Sequence, residues 1–506
     1  MPGVVDSKSD TRGTLASLPC ALPTSPIPID CDAQSVADSF ATKLSALDET
    51  HFTQDAIWRD SFALTGTFRT FYSSKVTLLA WRKLCAARKV HSFIKSATPA
   101  RVVRLPGGAA WLEATYDFCT SASPATECTI VLALTPGGND SWKIWMFGTI
   151  LQRLIGSPSP DVLQPETASD LQRHDSPTGI STTETTADGT ASKPFGCVVV
   201  GAGQAGLAVA GRVKALGISY VVLDKTQRTG DSWKHRYESA RLHTTRQYAH
   251  LPFGRTFPTG EYQEFLTKDD VAAGYQDWAI KYGMKIWHST TLISGKWDSE
   301  RQLWTLTIRS DDTERSIVTQ SVVLATGGGG QKPSMPNLPG LQDYQGESMH
   351  SVNFKTAQPW KGGKGVVVGT ANTGHDIAKD FYEADCSSTM IQRSATYIMP
   401  AEYYKDVLDR SYNDDVLTST ADMSASWAPL AVTRLVSMRV LNSRAEQDSE
   451  RFDALERAGF LTQRYGDILH HIYERGGGHY MDVGASAMIA DGKVRYPRRQ
   501  HGECND

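Results

Sequence analysis

The stretch CVVVGAGQAGLAVAGRVKALGISYVVLD, residues 197–224, reads as a buried strand, a glycine turn, a helix and a second strand. Gly201, Gly203 and Gly206 fit the spacing G-x-G-x-x-G, the helix runs on to Leu216, and Gly217 ends it. Such a turn aims free backbone N–H groups and the positive end of the helix dipole at one point, where a pyrophosphate can sit. ISYVVLD then delivers Asp224, 18 positions after Gly206. That is close to the roughly 20 positions at which an acid receives the hydroxyls of an adenine ribose. The combination predicts an α/β unit of the Rossmann kind that binds an adenine dinucleotide.

A second copy, GVVVGTANTGHDIAKDF, begins at Gly365 and follows the same ruler. Gly369, Ala371 and Gly374 stand where the three glycines stood, so the middle one has gained a methyl group, and Asn372 and Thr373 complete the turn. The offset that leads from Gly201 to Asp224 leads from Gly369 to Gln392, with Arg393 next to it. A carboxylate repels a ribose 2′-phosphate and a guanidinium binds it, so this turn is expected to prefer NADPH to NADH. Two such turns in one chain suggest two nucleotides meeting head to head, and a first ligand that exchanges hydride with NADPH is FAD. Three further segments fit a flavin reading. TGDSW at residues 229–233 ends in Trp233, RLHTT from Arg241 carries His243, and SVVLATGGGG from Ser321 runs into Gly327, where a glycine lets the chain turn between domains.

The chain has 506 residues, enough for about three domains. With 52 Lys plus Arg against 55 Asp plus Glu, the formal charge of -3 offers no basic field for nucleic acid or anionic lipid. Small molecules are the expected partners. The eight cysteines, Cys20, Cys31, Cys85, Cys119, Cys128, Cys197, Cys386 and Cys504, contain no C-x-x-C pair, which argues against a metal knuckle or a redox dithiol. No apolar stretch approaches the roughly 18 residues that cross a bilayer, and the start lacks a signal pattern. A cytoplasmic protein without a metal centre is expected.

Residues 156–193 are rich in Ser, Thr, Pro, Asp and Gly and lack any aromatic, so they read as a linker. Six divisions result: a disordered leader at 1–32, an α+β module at 33–155, the linker, an FAD-binding domain at 194–340, an NADPH-binding domain with a helical insertion at 341–495, and a polar tail at 496–506. In the module a helical stretch, SVADSFATKLSALD, precedes HFTQDAIWRDSFALTG. The segments AAWLEATYDFCT, CTIVLALT and DSWKIWMFGTILQRL have the β-branched and aromatic character of strands. Trp58 is expected in the core, with Arg59 and Asp60 paired structurally.

The body from about Pro194 to Arg495 resembles class B flavin-dependent monooxygenases, the N-hydroxylating, flavin-containing and plant YUCCA-type group. YQGESMHSVNF matches the identifying pattern F-x-G-x-x-x-H-x-x-x-F/W/Y, with Tyr344 for the first aromatic and Gly346, His350 and Phe354 at the other fixed positions. The resemblance implies reduction of FAD by NADPH, consumption of dioxygen, and transfer of one oxygen atom to a small organic substrate. It also implies that His350 links the two nucleotide domains, with a satisfied structural histidine as the alternative reading. The order of elements in residues 33–155 resembles the ketosteroid-isomerase-like α+β cone, here a docking unit or one that forms a homodimer. That fusion is similar to fungal flavoproteins of secondary metabolism. By the same resemblance roughly another hundred residues would return to complete the FAD domain. Two alternatives therefore stay open at this stage, an uncoupled flavin NADPH oxidase or reductase and an inactive binding protein descended from such enzymes.

Overall fold

The first sheet is built around a tryptophan. The computed structural model describes residues 14–138, 141–167, 188–328 and 332–496. In its first unit, α1 (Ala33–Ala41) starts where the Asp32 carboxylate accepts from the N–H groups of Gln34 and Ser35. Strands β1 (Phe52–Ser61) and β2 (Phe68–Tyr72) follow, then α2 (Ser74–Arg88). β3 (Val90–Lys95), β4 (Arg101–Arg104), β5 (Ala110–Thr120), β6 (Thr126–Gly138) and β7 (Ser141–Leu154) complete a seven-stranded sheet in the order β2-β1-β7-β6-β5-β3, with β4 joined to β5. The β1–β7 pair is parallel.

One face of this sheet packs on α1 and α2. Trp58 is fully buried between the rings of Phe71 at 4.6 Å and Phe147 at 5.4 Å, and its indole N–H donates to Thr149 Oγ1. Asp60, two residues on and on the same face, is equally buried. Its carboxylate accepts from the N–H groups of Leu64 and Thr65 and from the hydroxyls of Thr65 and Thr149. The expected Arg59–Asp60 pair does not form, because neighbouring strand residues point to opposite faces. Arg59 instead lies over the Phe68 ring at 5.1 Å.

The second unit opens with β8 (Phe195–Val200), α3 (Gln204–Ala215) and β9 (Tyr220–Leu223), then the single turn α4 (Asp231–Lys234) and α5 (Lys268–Lys281). Strands β10 (Ile286–Trp287), β11 (Thr290–Asp298), β12 (Leu303–Ser310) and β13 (Thr313–Leu324) complete the order β10-β9-β8-β13-β12-β11. Its first four strands run parallel and β13-β12-β11 form an antiparallel meander.

The third unit begins at β14 (Lys364–Val368), α6 (Asn372–Glu383) and β15 (Ser387–Ile391), followed by β16 (Thr396–Pro400). Four helices come next, α7 (Ala401–Leu408), α8 (Thr418–Ser426), α9 (Leu430–Gln447) and α10 (Ser449–Arg457). Then come β17 (Thr462–Gln463), β18 (His479–Asp482), α11 (Ala485–Ala490) and β19 (Val494–Arg495). The strands form two parallel sheets, β14-β15-β19 and β17-β16-β18. β14 is an edge strand that buries Gly365 and Val367 and leaves Val366 and Val368 exposed. The boundary expected at 340 lies instead within a connector, since residues 325–363 contain only two short 3-10 turns among the described residues.

Two segments expected to lack order are held by the folded units. Residues 1–13 of the leader lie outside the described residues, but Leu15 is buried in the core of the third unit and its N–H donates to Glu474. Arg104 donates to the carbonyls of Ile27 and Pro28. Residues 168–187 of the linker lie outside the described residues, while Asp161 pairs with Arg212 and Glu166 with Lys214 on α3. Of the expected tail only Tyr496 is described, its hydroxyl 3.1 Å from Met390 Sδ.

Trp58→Ala should lower the unfolding free energy by about 3–5 kcal/mol, the cost of removing a fully buried aromatic. Arg59→Ala should cost well under half as much. Chemical denaturation of the two variants measures both, and equal losses would contradict this account of the sheet.

Candidate functional site

Both glycine turns have the same stereochemistry. Gly201 ends β8 with φ +108° and Gly369 ends β14 with φ +115°, a region that side chains rarely adopt. One turn of helix further on, a Cβ on Gly206 would penetrate the carbonyl oxygen of Gly201, and a Cβ on Gly374 would penetrate that of Gly369. The helices therefore start in close contact with their strands. Neither α3 nor α6 has a side-chain cap, and the middle positions, Gly203 and Ala371, serve as N-caps in nearly the same conformation, with φ -81° and -88°. A Cβ on Gly203 would meet nothing within 4 Å, so the turn has an open side toward which the helix N–H groups point.

Asp224 stands beside the first turn. One carboxylate oxygen accepts from the Ala202 N–H at 2.5 Å, and the other from the N–H and hydroxyl of Thr226. This brings the carboxylate and the glycine turn to the same end of the sheet, as the spacing predicts. Arg393, just beyond β15, is exposed. Its neighbour Gln392 is engaged with Thr396 and with both backbone groups of Leu461.

The remaining expected positions separate into surface and junction. Trp233 is half-buried on α4 beneath the Arg236 guanidinium at 4.8 Å, and Gly327, three residues past β13, is exposed with φ +88°. His243, a cofactor-side candidate whose alternative is a core position, lies at the junction. It is buried, Nδ1 faces the Met481 carbonyl at 2.9 Å, and Nε2 lies 3.1 Å from both Asp376 oxygens. Asn372 also faces the junction, its side-chain oxygen accepting from the Met481 N–H, and Thr373 beside it is half-buried.

Asp376, not anticipated from the sequence, is the centre of this junction. Its carboxylate accepts from the Tyr237 hydroxyl at 2.6 Å and faces His243, so two residues of the second unit converge on the N-terminal half of α6 in the third. The Tyr404 hydroxyl bonds the His243 carbonyl, and the Glu238 N–H donates to Lys355 at 2.7 Å. Asp376 is the fifth residue of α6, past its first turn, and nothing in the sequence marks its partners some 130 positions earlier. His350 does not make the expected link. Its Nδ1 accepts locally, from the Val352 N–H, while Phe354 at the end of the motif and Lys355 just after it carry the contacts.

His375 lies beside Asp376 and is fully buried. Its ring stacks on Tyr480 at 3.7 Å, Nδ1 faces the Ala371 carbonyl, and Nε2 has no partner. Burial pushes its pKa down to about 4, so the imidazole is neutral at the positive end of α6. Among the described residues no group of His, Cys, Asp and Glu could hold a metal ion, and the seven described cysteines are free thiols. No described helix is long and apolar enough to cross a membrane.

The sequence profile of the family described as pyridine nucleotide-disulphide oxidoreductase matches residues 198–413, a span that includes both glycine turns. The chain is 30% identical over 215 residues to "Probable indole-3-pyruvate monooxygenase YUCCA3" of Arabidopsis thaliana, covering 41% of this chain and 48% of that one. It is 28% identical over 312 residues to "Probable indole-3-pyruvate monooxygenase YUCCA7" of the same plant, covering 59% and 66%. The chain thus spans about half to two thirds of the length of these curated relatives. Among solved structures it is similar to OTEMO complexed with FAD and NADP, at 17% identity and a TM-score of 0.43 over 60% of this chain and 65% of that one.

Protonating His375 would place a charge in the core with no acceptor for Nε2. Its folded pKa of about 4 lies below the ordinary 6.5, so its contribution is complete above pH 6.5 and is lost as pH falls toward 4. The gap corresponds to roughly 3 kcal/mol. Replacing it by phenylalanine, which keeps a stacking ring, should flatten the decline of stability across that window. Urea midpoints at several pH values measure this, and an unchanged decline would refute it.

Proposed function

We propose that the chain is an FAD-dependent, NADPH-using monooxygenase that transfers one oxygen atom from dioxygen to a small organic molecule. The observation that carries this reading is the pair of stereochemically matched glycine turns joined through Asp376, which brings the start of α6 against the unit that bears α3. The similarity to indole-3-pyruvate monooxygenases over 41% to 59% of the chain supports it further. The absence of any C-x-x-C pair in the sequence favours oxygen over a disulfide as the electron acceptor.

The residues present fit the two cofactors. In the first turn Gly201, Gly203 and Gly206 would admit the FAD pyrophosphate to the uncapped start of α3, and Asp224 would accept from the adenine ribose hydroxyls. Trp233 and Gly327 are assigned to the flavin's surroundings. In the second, Gly369, Gly374 and the N–H groups at Asn372 and Thr373 would receive the NADPH pyrophosphate, with Arg393 on the 2′-phosphate. Bound FAD supplies hydride acceptance and oxygen activation. The protein's part is to hold both nucleotides in register and keep water away from the ring. His243 and Asp376 do the first of these as a joint, without contacting the substrate. A place in fungal secondary metabolism is the biological context that the fused α+β module favours.

A second reading, an NADPH oxidase that releases peroxide, draws on one specific observation. Leu324 at the end of β13 and Val366 and Val368 on β14 are more than half exposed, so both sheets present apolar surface to solvent near the turns. Water admitted there would divert reduced oxygen from a substrate.

Purified protein should show the visible absorption of bound flavin after incubation with FAD, and should lose it in Gly206→Val. A colourless complex would sink both readings. Arg393→Glu should raise KM for NADPH at least about tenfold, the loss of a charge-assisted contact, and leave KM for NADH nearly unchanged. The ratio of peroxide formed to NADPH consumed then separates the oxidase, near one, from the coupled enzyme, far below one.

A further inference from the structure

A cavity of about 560 Å³ opens beside the first glycine turn, at the outer side of α3. Four stretches distant in sequence wall it: residues 161–163, the helical residues that follow Gly203, the loop at 248–255, and residues 417–422 at the start of α8. Tyr248, Phe253, Leu163 and Ala208 give it an apolar and aromatic lining. Its volume is within the range of small-molecule sites.

The charges at its rim are unequal in their engagement. Arg212 is paired with Asp161 at 2.9 Å, and Arg255 is bonded to the carbonyls of Asn413 and Val416. His250 has both ring nitrogens in use, one 3.0 Å from Gln247 Oε1 and one accepting from the Phe257 N–H. Burial, helped by Arg255, lowers its pKa to about 4, so it carries no charge at neutral pH. Asp422 differs. It receives one hydrogen bond, from the Tyr412 hydroxyl at 2.9 Å, and makes no ion pair among the described residues. It has no cation in direct contact, since the Arg212 guanidinium that acts on it electrostatically is held by Asp161, and it lies next to the Tyr248 ring that packs edge-on against Tyr412 at 4.7 Å. The complementary ligand has an aromatic body and a positive charge.

The N-terminal unit holds two of the four walls. Residues 161–163 continue from β7, whose last residue is Leu154. α8 ends at Trp427, which is buried on the outer face of the N-terminal sheet with Ile57, Trp111 and Met146. β7 passes so close beneath it that a Cβ on Gly148 would stand 2.6 Å from the Trp427 carbonyl oxygen. Moving Trp427 would carry Asp422 and its wall along.

We infer that this cavity is a binding site for a small aromatic cation and that the N-terminal unit builds it by clamping α8 and the residues after β7. The bound molecule need not be the one oxygenated, so this inference goes beyond the proposed activity.

Calorimetric titration of the full chain, saturated with FAD, with 2-phenylethylamine and with phenylacetate tests the site without using turnover. The amine should bind, and the acid, of the same shape and opposite charge, should bind at least about tenfold more weakly. Asp422→Asn should abolish that preference, and Val162→Trp, at a largely exposed position, should fill the cavity and weaken the amine by a similar factor. Gly148→Ala should weaken the amine several-fold while the flavin absorption stays unchanged. Equal binding of amine and acid, wild-type affinity in Asp422→Asn, or displacement of the amine by added FAD would overturn the assignment. Wild-type affinity in Gly148→Ala would overturn the role of the N-terminal unit. Because Val162→Trp touches no core, a folding failure of Gly148→Ala leaves the site testable.

Discussion

The close approach of a helix to the strand before it, possible only where a side chain is missing, is the constraint on which the two central units depend. At Gly206 and again at Gly374 a Cβ would run into a backbone carbonyl. With hydrogen there instead, the helix can start directly above the strand end, uncapped, with its N–H groups directed at whatever lies beyond Gly203 or Ala371. A larger residue would push the helix outward and blunt the converging dipoles. The tolerance for alanine at 371 and the intolerance at 374 follow from the same geometry, since the middle position faces outward and the third faces the strand.

Two such turns are useful together only if their units are held in a fixed relation. The contact that does this is polar and buried. Asp376, in the N-terminal half of α6, meets Tyr237 and His243 from the preceding unit, and His243 is tied further to the β18 backbone. Unpaired, each of these groups would be costly to bury, so the joint is stable only when its members are all present, which makes the relative placement of the two units specific. Apolar contacts alone would permit more sliding. His375, beside this joint, stays neutral for the same reason that Asp376 is paired: burial tolerates no unmatched charge.

The N-terminal unit shows how one sheet can serve two partners. Its inner face closes over Trp58 and the helices α1 and α2, and its outer face receives Trp427 and Val432 from the third unit. A sheet covered on both faces needs apolar residues at successive positions, which is why β7 buries a long continuous run, while β6 alternates over its first half before burying successive residues from Leu132 to Thr135. The segment around Cys20 and Leu22 packs at the edge of this contact, and Trp145 donates to the Ala21 carbonyl. Low-complexity flanks thus become part of the packing once a folded surface supplies the partners they lack on their own.

The glycine turns and the placement of Asp224 beside the first of them were legible in the sequence because each obeys a local rule: backbone reach, strand length and the register of a βαβ turn over a few tens of residues. Strands such as β5, β6 and β7 were legible through their β-branched and aromatic runs. Tertiary structure alone decided that His243 and Asn372 face a junction, that Arg59 and Asp60 part to opposite faces, and that Asp376 and Asp422 matter at all. Their partners lie on other elements, and spacing along a chain carries no information about which surfaces meet once apolar burial has brought distant segments together.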